Sequence, residues 1–167
     1  MSSLGKIYIY TGSGRGKSMA ALGMALKMAS EKQKVAVLYF DRCRDVNWNE
    51  FIKKASGGLI CPFEVDLSLR EPNSRRFKAD VYQSDIEEAY DGLERAEKIS
   101  LSGEYDWLVL DEINVALALG MISMEDFLKF LKSKPVYLNL VLTGVNCPEC
   151  VASLADFVTE MREVKNI

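Results

Sequence analysis

Three glycines crowded between an apolar strand and an apolar helix narrow the possible folds of this chain more than any other feature. Lys6-Ile-Tyr-Ile-Tyr10 reads as a β-strand and Thr11-Gly-Ser-Gly-Arg-Gly-Lys-Ser18 as a glycine-rich turn. Met19 to Met28 is apolar nearly all round and predicts a buried helix. A strand that feeds a helix through such a turn can point backbone N–H groups at an anion, at the helix end whose dipole favours negative charge. Gly16-Lys17-Ser18 matches the end of the phosphate-loop pattern G-x-x-x-x-G-K-[ST], but Thr11 stands where the pattern has its first glycine. Gly12, Gly14 and Gly16 still leave little side chain in the way. On this reading Lys17 neutralises the phosphate oxygens of ATP, and the Ser18 hydroxyl binds the Mg2+ that travels with it.

The rest of the chain alternates strands and helices. Val35-Ala-Val-Leu-Tyr-Phe40 is a continuous apolar run, the appearance of a parallel strand covered on both faces. From Asp41 to about Lys78 the periodicity fades, with Pro62, Pro72 and Gly57-Gly58 as interruptions, and short elements and loops are expected. Tyr82, Ile86, Ala89, Leu93 and Ala96 fall on one apolar stripe and predict a helix. Trp107-Leu-Val-Leu110 predicts a buried strand ending in Asp111-Glu112. Ser123 reads as the N-cap of a helix with Glu125 and Asp126 in its first turn, Phe127, Leu128, Phe130 and Leu131 on its inner face, and Pro135 at its exit. Leu138 to Leu142 is a further strand, followed by Thr143-Gly144, a short helix from Pro148 and a last extended piece, Phe157 to Met161. This alternation implies an α/β chain: a mostly parallel sheet with helices on both faces, in one three-layer, P-loop NTPase-like (RecA-like) domain over residues 1–167.

Composition removes several classes of function. The 167 residues are 49% hydrophobic, enough for one domain with a full core. Net charge is -3 and no Lys/Arg block occurs, so a nucleic-acid partner is not expected. No apolar run approaches the roughly 20 residues of a membrane span. The start shows no basic and apolar leader, so a cytoplasmic protein is expected. There is no histidine, which excludes Ser-His and Cys-His catalysis and any imidazole metal site. Cys147-Pro-Glu-Cys150 has redox or zinc spacing, but Cys43 and Cys61 do not form a second such pair; four ordinary reduced cysteines are expected.

Asp111 and Glu112 sit at the carboxyl end of a strand, where open α/β sheets bind ligands. In phosphate-loop proteins an acid here faces the metal across the nucleotide. Asp111 is the candidate to hold Mg2+, either directly or through an intervening group, and Glu112 would polarise a water or position a substrate. The alternative is that one of the two only caps the following turn.

At this point the chain resembles the P-loop type of ATP:corrinoid adenosyltransferase. Three stretches carry the resemblance: Tyr10-Thr-Gly-Ser-Gly-Arg-Gly-Lys-Ser18, whose threonine start is that family's variant of the loop; Tyr105-Asp-Trp-Leu-Val-Leu-Asp-Glu-Ile-Asn-Val-Ala-Leu117; and Val141-Leu-Thr-Gly144 through Pro148, Ala155-Asp156, Val158-Thr-Glu-Met161 and Val164-Lys165. The resemblance implies that a reduced cobalt(I) corrinoid attacks the 5′ carbon of ATP and that the whole triphosphate leaves. It implies phosphate contacts from Ser13, Gly14, Arg15, Gly16, Lys17, Ser18 and Met19, in a loop that begins at Gly12. It implies catalytic roles for Lys17 and Glu112, and Mg2+ held by Ser18, Asp111 and Glu112. It also implies a homodimer and an electron-donor protein that reduces the cobalt.

The family usually has lysine at the position of Arg15, arginine at Val145 and histidine at Asn166, and a short tail beyond Ile167. Some members carry an amino-terminal extension that is absent here. The family's glycine-phenylalanine-x-tryptophan pattern in the middle segment is also absent, which leaves Trp48 and Phe51 as the corrinoid candidates, with core packing as the alternative for each. Two other functions fit the loop itself: a divergent ATP-binding protein without corrinoid transfer, or a kinase or NTPase that releases ADP rather than triphosphate.

Overall fold

Strands β1 (Ile7–Thr11), β2 (Val35–Tyr39), β3 (Ile60–Glu64), β4 (Trp107–Asp111), β5 (Asn139–Thr143) and β6 (Phe157–Glu160) form one sheet in the order β3-β2-β4-β5-β1-β6. Every pairing is parallel. The computed structural model describes residues 4–40, 46–64 and 81–165. Helices α1 (Lys17–Ser30), α2 (Val46–Ala55), α3 (Gln83–Leu101), α4 (Ile113–Ala118), α5 (Met124–Ser133) and α6 (Glu149–Ala152) connect the strands.

The apolar strand runs are explained by burial on both faces. All five residues of β2 and of β4 are buried, and alternate residues serve different cores. On one face Ala36, Leu38, Leu108, Leu110, Leu140 and Leu142 pack with Ala89 and Leu93 of α3, Ile113 of α4, and Phe127 and Phe130 of α5. On the other, Val35, Val37, Val109 and Val141 pack with Ala21, Leu22, Ala25 and Ala29 of α1 and with Ile52 of α2. Each such Val, Leu or Phe side chain stabilises the fold by about 1.5–3 kcal/mol. Helices on both faces of a parallel sheet make the three-layer, P-loop NTPase-like architecture that the sequence implies.

Five elements differ in detail from the sequence reading. Helix α1 is not buried all round: Met19 is 57% and Leu26 41% exposed. A helix in an outer layer turns only one side to the sheet, whatever its composition. The stretch read as short elements and loops contains the ten-residue α2 and the five-residue β3. Pro62, taken as an interruption, lies inside β3, opposite Val37. It is tolerated because β3 is an edge strand among the described strands, paired there with β2 alone. In α3, Ala89, Leu93 and Ala96 are buried as expected, but Tyr82 is exposed and precedes the helix. There its N–H donates to the Asp85 carboxylate at 2.9 Å. Helix α4 follows Glu112 directly, and its six residues are too few to show a period. By contrast, the Ser123 cap forms as expected, accepting the Asp126 N–H at 3.1 Å, with Leu128 only half-buried on the α5 face.

Among the described residues no helix is long and apolar enough to cross a membrane. Cys61, Cys147 and Cys150 are free, and Cys43 lies outside the described residues. Burial, with the neighbouring Cys150, pushes the Cys147 thiol up to about 11. It therefore stays protonated at neutral pH and is a poor nucleophile.

A candidate phosphate and metal site at the carboxyl edge of the sheet

The site begins where β1 stops at Thr11. Residues 12–16 turn the chain, and Gly16 enters α1 with φ 103, a left-handed conformation natural to glycine. No side chain caps α1, and no acid lies in its first turn. The helix start is thus left for an anion to complete. Lys17, the first helical residue, is buried. Its ammonium folds back over the loop and donates to the Gly12 carbonyl at 2.9 Å and the Gly14 carbonyl at 2.7 Å. Ser18 is half-buried, and Ser13, Arg15 and Met19 are exposed. Every residue expected to meet phosphate, from Gly12 to Met19, therefore lies in one turn and the first turn of one helix.

A second segment packs across this loop. The Met161 carbonyl accepts the Gly14 N–H and the Met161 N–H donates to the Thr11 carbonyl, both at 2.8 Å. A β-carbon on Gly12 would stand 2.3 Å from the Met161 carbonyl oxygen, and one on Gly14 would stand 2.8 Å from the Met161 carbonyl carbon. Two of the three glycines that sequence reasoning assigned to an anion, Gly12 and Gly14, are thus also required by a neighbouring backbone.

The acids lie at the end of β4. Asp111 is only 2% exposed and Glu112 is half-buried. Strand β5 lies between β4 and β1, so the acids and the loop are two strand spacings apart, about 10 Å. The last residue of β5, Thr143, is fully buried. Its hydroxyl donates to Asp111 Oδ1 at 2.7 Å and accepts the Glu112 N–H at 2.9 Å. Next in the chain, the Gly144 N–H donates to the Tyr10 carbonyl at 3.2 Å, and its carbonyl accepts from buried Asn114 Nδ2 at 3.4 Å. Sequence reasoning did not select Thr143 as a site residue; its signal was its position just past an apolar strand.

Glu112 carries backbone strain, with φ 64 and ψ 17. A non-glycine residue held there costs about 1–3 kcal/mol and marks sites where geometry is set by function. Glu112→Gly is expected to raise stability by about 1 kcal/mol in thermal denaturation while lowering activity, because the strain is relieved as the carboxylate is lost.

The donor set suits a hard cation. Ser18 offers a hydroxyl, and Asp111 and Glu112 offer carboxylates, the oxygen chemistry Mg2+ prefers. Among the described residues no three Cys, Asp or Glu side chains cluster as a metal cage. Such a site would lean on phosphate oxygens and water, as Mg2+ sites usually do. The aromatic candidates lie elsewhere. Trp48 and Phe51 stack at 6.0 Å on α2, Phe51 is 61% exposed, and Trp48 packs on the core beneath α1 and α2. Asn166 is outside the described residues.

Comparison with known proteins gives a consistent picture. The sequence model of the family described as ATP:corrinoid adenosyltransferase BtuR/CobO/CobP matches residues 3–167. A corrinoid adenosyltransferase from Sinorhizobium is 32% identical over 164 residues, covering 97% of this chain and 74% of that protein. Corrinoid adenosyltransferase CobA from Salmonella typhimurium is 26% identical over 166 residues, covering 97% of this chain and 79% of that protein. The uncharacterized protein all2391 of Nostoc is 32% identical over 166 residues; the match covers 95% of this chain but 44% of that protein, so the chain spans less than half of that relative. Among solved structures, the flagellar accessory protein FlaH from Methanocaldococcus jannaschii superposes with a TM-score of 0.64 at 14% identity, over 95% of this chain and 71% of that chain. That likeness concerns the fold alone.

Proposed function

Because the chain belongs to the ATP:corrinoid adenosyltransferase family, we propose that it transfers the 5′-deoxyadenosyl group of ATP to the cobalt of a reduced corrinoid and releases triphosphate. The observation that carries this reading is the extent of the family match, residues 3–167, which runs through both the phosphate loop and the acid pair facing it.

Each residue then has a task. The loop from Gly12 to Met19 holds the triphosphate with backbone N–H groups at the start of α1. Lys17 exchanges the Gly12 and Gly14 carbonyls for phosphate oxygens, which are stronger acceptors because they are charged. Ser18, Asp111 and Glu112 hold Mg2+, which when bound spreads the negative charge that grows on the departing triphosphate. Glu112 also fixes the substrate relative to the loop. The nucleophile is the substrate's own cobalt(I), so no general base is required, and a chain without histidine suffices. Positioning and leaving-group stabilisation are the protein's contribution. The corrinoid contacts are assigned to 41–80, where Trp48 and Phe51 are the aromatic candidates; residues 41–45 and 65–80 of that segment lie outside the described ones. A homodimer, a cytoplasmic location and an electron-donor protein that reduces the cobalt complete the reading and rest on the family resemblance.

The test is an anaerobic assay with ATP, Mg2+ and chemically reduced cobalamin. The expected outcome is a light-sensitive cobalt–carbon product with one triphosphate released per turnover. ADP as the phosphate product, or ATP bound with no corrinoid product, would replace this reading with an NTPase or kinase, or a binding protein.

A further inference from the structure

Thr143 ends the strand that lies between the two halves of the proposed site. Its strand, β5, touches both the strand that enters the phosphate loop and the strand that ends in the acids, with Thr143 registered against Tyr10 of β1 and Leu142 against Leu110 of β4. The corner is tied to β1 twice more, by the Gly144 N–H on the Tyr10 carbonyl and the Cys147 N–H on Thr11 Oγ1 at 3.3 Å. A backbone N–H only donates, so a lone pair of the hydroxyl faces Glu112 while its O–H donates to Asp111. One buried atom therefore bonds both the Asp111 carboxylate and the backbone N–H of Glu112, where that backbone is strained.

We infer that Thr143 is a positioning residue that sets Asp111 and Glu112 against the phosphate loop, and so controls how metal and triphosphate are held together. It touches neither substrate nor metal and acts through the two acids. The inference rests on the proposed metal–triphosphate site, and deepens it. Groups that orient metal ligands in this way typically change metal affinity or activity by about 10–100-fold when removed.

The experiment titrates Mg2+ against ATP binding on the purified full chain, without corrinoid, for wild type, Thr143→Val and Thr143→Ser. Adenosyl transfer is measured in parallel. Valine keeps the shape and removes both hydrogen bonds; serine keeps both. Thr143→Val should fold, bind metal-free ATP as wild type does, and need about 10–100-fold more Mg2+ for half-maximal MgATP binding. Thr143→Ser should return close to wild type. A wild-type Mg2+ requirement in Thr143→Val would overturn the assignment. So would equal impairment of Thr143→Ser, or an ATP affinity that falls alike with and without metal. Should Thr143→Val not fold, Thr143→Ala is read in the same way; failure of both to fold would make the hydroxyl a determinant of the fold and overturn its positioning role. If wild type binds MgATP but transfers no adenosyl group, the transfer reading falls, while the Mg2+ titration still decides Thr143.

Discussion

Lys17→Ala is expected to lower adenosyl transfer by roughly a thousandfold and to weaken ATP binding by about 10–100-fold. The two losses differ because the lysine does more as the reaction proceeds. On the proposed assignment its ammonium would contribute a charge-assisted hydrogen bond to phosphate in the ground state, worth about 1.5–3 kcal/mol. As the carbon–oxygen bond breaks, charge accumulates on the triphosphate and the same contact strengthens. The fold around Lys17 supports this division. The side chain is buried and already held over the loop by the Gly12 and Gly14 carbonyls, so little ordering remains when phosphate arrives. Equilibrium nucleotide binding and single-turnover kinetics on the same preparation separate the two effects. Full binding and turnover in the variant would remove the phosphate-loop assignment altogether.

The second large effect is on stability. Gly12→Ala is expected to destabilise the protein by about 3 kcal/mol and to abolish nucleotide binding. Two penalties add. Gly12 has φ 98, where a β-carbon is strained wherever it occurs, and that β-carbon would meet the Met161 carbonyl oxygen at 2.3 Å. The obstacle is backbone and cannot rotate away. Gly23→Ala in α1 provides the contrast: no heavy atom lies within 4 Å of its added carbon. It should stabilise the helix by about 0.5–1 kcal/mol. Thermal denaturation of the two variants would reveal opposite signs. A Gly12→Ala protein as stable as wild type would mean that residues 160–162 do not pack on the loop in solution.

Much of this molecule is legible in its residues, for reasons that differ by segment. The strands around Val37, Val109 and Val141 are readable because parallel strands buried twice over must be apolar throughout. The loop is readable because close backbone approach leaves a trail of glycines, and the Ser123 cap because a hydroxyl before a helix has a local purpose. Strand β3 was hidden by Pro62, whose usual meaning holds for central strands but not for an edge. Helix α1 misled through its composition: exposed Met19 and Leu26 are as apolar as the buried Leu22 beside them. Thr143 stood in a stretch that carried the family resemblance, but its contact with Asp111 was not legible. Its importance comes from a neighbour 32 positions away in sequence, and nothing local distinguishes a hydroxyl that orients a carboxylate from one at a strand end. The site's long-range geometry is a property of strand order, which the periodicity of single segments does not specify.

That strand order also bears on how the molecule comes into being. The phosphate loop precedes five of the six strands in the sequence, yet among the described strands β1 pairs only with β5 and β6, matching Ile7 with Leu140 and Tyr8 with Phe157. Until those late segments emerge, β1 has no partner strand and its loop has no wall. Pairings of such long sequence separation form slowly, because a large loop must close before any contact rewards it. A chain that stops before β5 can pair β2, β3 and β4 but leaves the proposed phosphate loop without its neighbouring strands, so nucleotide is expected to rescue folding only once residues through Met161 have been made.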